Sequence, residues 1–213
     1  MSLFDKLFRS GNEPSREKGS ECLGQDLRDL ERRAADAPMG AGWTHLNRAG
    51  DMCLKADDTV KAVQYFGKAI DALLEDGQPE PARGVAKKVI RVHPEAVRTL
   101  CTLTWLDLAA RQPTSAVLSL RCYADAAKRG GREDLAAEQI FIMARFTDND
   151  SFLTEVVEVL SDLGFTTYSI QVKEWLARGG SEDSKGDPDA LAKYCLSAAV
   201  GSNALKRAEG ALA

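Results

Sequence analysis

The chain has 213 residues, 44% of them hydrophobic and 28% charged, which is enough apolar matter for one domain with tails. A net charge of −4 excludes a general attraction for phosphate backbones, so nucleic acid is not an expected partner. The five cysteines (Cys22, Cys53, Cys101, Cys122 and Cys195) contain no CxxC pair, which excludes a zinc ribbon and a thioredoxin-type centre.

Residues 1–9 carry Leu3, Phe4, Leu7 and Phe8 at helical spacing, with Asp5, Lys6 and Arg9 opposite. They read as an amphipathic docking tip for a protein groove or, weakly, for a membrane surface. Residues 10–20, SGNEPSREKGS, read as a flexible linker. From 21 to 178 the apolar periodicity predicts helices near 21–36, 41–55, 58–76, 80–92, 95–110, 114–129, 132–146, 150–163 and 166–178. Pro81 suits a first helical turn, Gly130 and Gly131 close a helix behind Lys128 and Arg129, and Asp150 or Ser151 is the expected cap of the helix that follows. Residues 179–187, GGSEDSKGD, read as a second linker. Asp187 and Pro188 open a last helix, 188–213, of weak apolar content, which is expected to dock loosely or stay mobile. Cys53, Cys101 and Cys122 sit among apolar residues and read as small buried hydrophobes. No run approaches the ~18 apolar residues of a spanning helix, and the N-terminus lacks a signal-peptide core. The expected location is the cytoplasm, peripheral to a membrane or within a larger complex at most.

Small and large residues recur along these helices. In 43–76, Gly50 marks a close-packing position on the first helix, and Ala62, Phe66 and Ala69 form a small-large-small ladder on the second. Leu46, Ala49 and Cys53 fill the first helix's apolar slots. Partial frames follow at Ala82, Ala86, Val89 and Pro94; at Leu100, Leu103, Ala116, Leu120 and Tyr123, with Thr104 in place of the glycine; and at Ala137, Phe141 and Ala144. Through these residues the region 43–146 resembles the tetratricopeptide-repeat (TPR) family. The resemblance implies an all-α fold over 21–178, with antiparallel helix pairs stacked as a short right-handed solenoid.

In that family the first helix of each pair lines a concave, peptide-binding side. The resemblance therefore implies a partner surface at Thr44, Asn47, Asp51, Leu54 and Lys55, and at Arg98, Cys101, Trp105, Leu108 and Ala109. Asn47 and Asp51 stand where the family's clamp for acidic tails has Lys and Asn, so such a tail is not the expected ligand. Arg83, Lys87 and Arg91, four apart, share a helix face and form a candidate basic patch. Trp43, Trp105 and Trp175 read as core or as anchors.

No catalytic constellation is legible, and no metal or cofactor is expected. His45 and His93 lack partners at ligand spacing. There is no P-loop and no GxSxG elbow. The Asp148–Asp150 cluster fails as a calcium loop, because Leu153 and Val159 stand where Gly and Glu are needed. The expected function is a non-catalytic adaptor or scaffold that binds a protein segment. The alternatives are a regulatory or assembly subunit of a larger bacterial secretion, motility or signalling complex, and an enzyme with an unrecognised helical site.

Overall fold

The computed structural model describes residues 13–38 and 40–210, and among these the chain is all-helical, with ten α-helices and no strand. In chain order they are α1 (Glu13–Asp36), α2 (Gly42–Lys55), α3 (Thr59–Glu75), α4 (Pro79–Val92), α5 (Val97–Ala109), α6 (Pro113–Arg129), α7 (Glu133–Arg145), α8 (Asp150–Asp162), α9 (Thr166–Ala177) and α10 (Pro188–Gly210). The docking tip at Leu3, Phe4, Leu7 and Phe8 lies outside the described residues. No described helix is long and apolar enough to cross a membrane.

Helix α1 runs through most of the expected flexible linker. Pro14 falls in its first turn, where the missing N–H costs nothing, and Arg16, Glu17 and Lys18 are good helix formers. Of the residues that suggest a linker, Pro14 and Ser15 stand where a helix start tolerates them, while Gly19 and Ser20 fall inside the helix.

One turn joins most of the helices. The backbone N–H of Asp58, Gln78, Gln112, Arg132, Phe165 and Gly180 each donates to the carbonyl five residues back, over 2.8–2.9 Å. The residue before each donor (Asp57, Gly77, Arg111, Gly131, Gly164 or Gly179) is left-handed, with φ between 52° and 89°. This is the Schellman closure, which returns the chain sharply and satisfies the last carbonyls of the helix. Asp57 and Arg111 adopt a φ at which glycine is unstrained. The turns fall in pairs, 57 with 77, 111 with 131, and 164 with 179, roughly 54 residues from pair to pair. Different junctions, His93–Ala96 and Phe146–Asn149, separate the pairs.

Each helix from α1 to α9 packs on its neighbours in the chain, most extensively α2 on α3, α5 on α6 and α8 on α9. The α2–α3 contact is set by Gly50. A Cβ built there would lie 2.5–2.8 Å from three ring carbons of Phe66, so the ring occupies the space a side chain would need. Ala62, Phe66 and Ala69 have no exposed surface. A single apolar cluster runs on through Ala82, Ala86 and Val89, Leu100, Ala116 and Leu120, to Ile140, Met143, Phe152, Val156 and Leu160. Cys122, expected to be buried, is exposed: the inward stripe of α6 is Ala116, Leu120, Tyr123, Ala124 and Ala127, and Cys122 falls off it.

Helix α4 begins at Pro79, one residue before the expected start, and Pro81 stands in its first turn as expected. One cap differs from the expected one. Helix α8 is capped by Asn149, whose side-chain oxygen accepts the Phe152 N–H at 3.0 Å, rather than by Asp150 or Ser151. Asn149→Ala is expected to destabilise the fold by about 1 kcal/mol in chemical denaturation, the usual effect of losing such a cap.

Candidate interaction surface

Helix α5, VRTLCTLTWLDLA, has almost no polar side, and every residue from Thr99 to Asp107 is buried. A helix that is apolar all round is covered all round. Here the covering elements are α4, α6 and α10. Of the residues placed on a partner surface, Cys101 is 5% exposed and Trp105 1% exposed. Both are core, and with α10 in place neither is exposed. Arg98 and Leu108 are half-buried, and burial next to Arg132 lowers the Arg98 guanidinium from its ordinary value.

Helix α10 packs on α5 and α3. Asp189, in its first turn, reaches Arg111 just beyond the end of α5 at 3.5 Å, while Tyr194 meets Trp105 within α5. The helix therefore runs back along α5 in the opposite direction. The Tyr194 ring stacks on Phe146 with centroids 3.7 Å apart and stands edge-on to Trp105 at 6.0 Å, a clasp of three rings. Cys195 and Ala199 are buried on the same side. Burial pushes the Cys195 thiol up to about 11, so it stays protonated and unreactive near neutrality. The Trp105 Nε1 is buried without a hydrogen-bond partner among the described residues.

The segment that returns the chain to α5 is pinned. The Ser181 hydroxyl donates to the Arg145 carbonyl at 2.7 Å and accepts the Ser184 N–H at 3.2 Å. The Arg145 guanidinium donates twice to one oxygen of Asp183, at 2.8 and 3.0 Å. Gly180 has φ +104°, and a Cβ there would lie 2.2 Å from the Ser184 hydroxyl. The expected linker at 179–187 is thus a strap whose first half is fixed to the end of α7. The reason is Ser181 and Asp183, which bond to Arg145 at that helix end, while Ser184 bonds back to Ser181 within the strap.

Between the strap, the first turns of α10, the α5–α6 turn and the α7–α8 junction lies an open cleft of about 460 Å³. Its lining is mixed: Leu108, Phe146, Leu191 and Cys195 are apolar, and Arg111, Asp148 and Lys185 are charged. This mixture of signs favours no single charge class of ligand.

The other half of the expected surface lies on α2. Lys88 of α4 reaches across to form an ion pair with Asp51 and donates to the Asn47 side-chain oxygen at 3.2 Å. The same ammonium sits 4.4 Å above the centre of the Phe66 ring. Asn47 and Asp51 are therefore engaged within the chain; Leu54 is half-buried against the core and Lys55 is exposed. The structure does not gather these residues and those of α5 into one open patch.

The basic face does not form as a unit. Arg83 is only 14% exposed, and its guanidinium bonds Asp107 of α5 at 3.3 Å, Gln112 at 2.6 Å and Glu80 at 3.2 Å. Ser119 of α6 donates to the other Asp107 oxygen at 3.1 Å. Arg83 is thus a clasp across α4, α5 and α6, and only Lys87 and Arg91 remain exposed. Fourfold spacing placed Arg83 on the exposed face, but the buried Asp107 draws it inward.

At the far end, Phe141 of α7 stacks on Tyr168 and Trp175 of α9, with centroids 4.4 and 5.1 Å apart, and all three rings are half-buried. Trp43 is also half-buried against the core. No cluster of three or more His, Cys, Asp or Glu with metal-binding geometry occurs among the described residues. The elements that sequence reasoning missed are α10 as the cover of α5, and Tyr194 with Phe146 as its clasp. The available signal was α5 itself, whose sequence leaves no face for solvent. Comparisons with protein-family models, curated proteins and solved structures give no match for this chain.

Proposed function

We propose that the chain is a non-catalytic protein-interaction module that binds a helical segment of a partner on the face formed by α5 and α3. The observation that carries this reading is that a helix, α10, already lies on that face. Helix-in-groove recognition requires an apolar seat with a slot for an anchor side chain. Leu108 with the Trp105–Phe146 pair, which receives Tyr194, has that character.

The resemblance to tetratricopeptide repeats supports the same reading. The Gly50–Phe66 contact, the buried Ala62 and Ala69, and the turns repeated through the chain suit antiparallel helix pairs stacked in series, with α4 and α7 as added third helices. On this reading the module is an adaptor, with the tip at Leu3, Phe4, Leu7 and Phe8 as a second, weak attachment that adds avidity.

The test is crosslinking with mass spectrometry in native cells. Crosslinks from a single protein should concentrate on Lys185, which lines the cleft beside α10, and on Lys193, exposed on α10 itself. Crosslinks spread evenly over surface lysines would reject the assignment.

A second reading, as a permanent assembly subunit, is favoured by the half-exposed rings of Phe141, Tyr168 and Trp175. Stable co-elution with one partner at fixed stoichiometry in gel filtration distinguishes it from a transient adaptor.

A further inference from the structure

We infer that α10 is a built-in competitor for the α5–α3 face, and that the partner helix it excludes carries an aromatic residue, a small residue directly after it and another small residue four positions further on. The inference rests on the binding surface proposed above and adds its regulation and the chemistry of its ligand. The pattern is that of α10 itself. Tyr194 enters the slot between Trp105 and Phe146, and Cys195 and Ala199 let the helix lie close on α5.

Three observations make exchange of the helix the natural behaviour. The first is what α10 covers. Its fully buried residues in the described part are the small Cys195 and Ala199, with Leu196, Ala198 and Val200 partly buried beside them, and its Tyr194 meets the otherwise buried Trp105. A face that includes Trp105 cannot stay uncovered. Release therefore requires a replacement helix. The second is the grip at the helix edge. The Arg111–Asp189 ion pair is long and both side chains are well exposed, and such pairs hold weakly. Tyr194 is 41% exposed despite its stacking. The third is the position of the hinge. The strap is fixed to α7 through Ser181 and Asp183, while Gly186 follows the last of these attachments. The helix can swing about Gly186 with the strap still in place, which keeps it near its seat at high effective concentration.

A competitor in cis lowers the apparent affinity of a ligand by the fraction of molecules in which the seat is open. Weakening α10 in the full chain must then strengthen binding of the same helix supplied in trans.

The probe is a fluorescent synthetic peptide of residues 187–210, titrated against the native full chain and against full-length Tyr194→Ala/Asp189→Ala. The double variant removes the ring clasp and the ion pair without burying a charge. The expected result is that it binds the peptide at least about tenfold more tightly than the native chain does. A peptide that itself carries Tyr194→Ala binds neither. Equal affinity for both chains, or no binding to a variant that unfolds cooperatively by circular dichroism, overturns the inference. So does a native chain that elutes as a dimer exchanging α10 between copies.

If the double variant does not fold, hydrogen exchange on the native chain decides. Excess isotopically labelled peptide should speed exchange of the α10 amides while α5 stays protected. Unchanged α10 protection overturns the proposal. Capture of a cellular partner at this seam by a chain that ignores the peptide overturns the competitor role alone. Peptide exchange without any partner at the seam leaves the competitor role standing and removes the adaptor reading.

Discussion

Gly50→Ala is expected to destabilise the protein by about 2 kcal/mol, although alanine is the better helix former by about 1 kcal/mol. The sign follows from the space. The new Cβ would overlap three carbons of the Phe66 ring, and that ring has no exposed edge toward which to retreat. It is held from above by the Lys88 ammonium, which is tied in turn to Asp51 and Asn47 on the same helix as Gly50. To relieve the overlap α2 must move away from α3, and the Lys88 seam must open with it. Phe66→Leu in the same chain leaves room for the added methyl. The double variant should lie closer to native than the sum of the two single changes, with a coupling of about 1 kcal/mol. Urea denaturation of the four proteins measures this. A Gly50→Ala chain as stable as native would mean that α2 and α3 do not approach as described.

Arg83→Met should cost more, about 3 kcal/mol near pH 7, because it leaves the buried Asp107 carboxylate without its cation. Asp107 keeps the Ser119 hydroxyl, but one neutral donor does not replace a guanidinium. Replacing both partners, as Arg83→Met/Asp107→Leu, should recover most of the loss, since an apolar pair of similar volume needs no compensation.

The pH dependence carries its own sign. Burial raises the Asp107 carboxyl above its ordinary value, against the lowering influence of Ser119, Arg83 and Lys87. A folded-state value above the unfolded one means that the native state binds the proton more tightly. The contribution of Asp107 to stability therefore falls as pH rises from about 4 through the folded-state value, and is flat beyond it. Removing Arg83 takes away one of the lowering influences and widens that range. The deficit of Arg83→Met relative to native should thus be largest near neutrality and shrink toward about pH 4. Denaturation at several pH values tests it, and a deficit that grows on acidification would contradict the assignment of Arg83 as the partner of Asp107.

The sequence by itself determined the helices from α2 to α9 and the contact between α2 and α3. Apolar residues at 3.6-residue intervals define the helices, and Gly50 with the Ala62, Phe66 and Ala69 ladder marks a close crossing, although that Phe66 is the residue facing Gly50 is seen only in the structure. Burial of Cys53, Ala62, Phe66 and Ala69 was legible for the same reason. What only the tertiary structure decided is which faces remain open. The spacing of Arg83, Lys87 and Arg91 describes one helix and says nothing of Asp107 on the next, so the basic face was legible as a pattern and absent as a surface. Cys101 and Trp105 were assigned to a binding surface by their place in a repeat, whereas their exposure depends on a helix that begins some eighty residues further along the chain. The weak apolar content of α10 concealed its role. Its fully buried residues, Cys195 and Ala199, are small and allow close approach, and closeness can be judged only against the surface on which the helix lies.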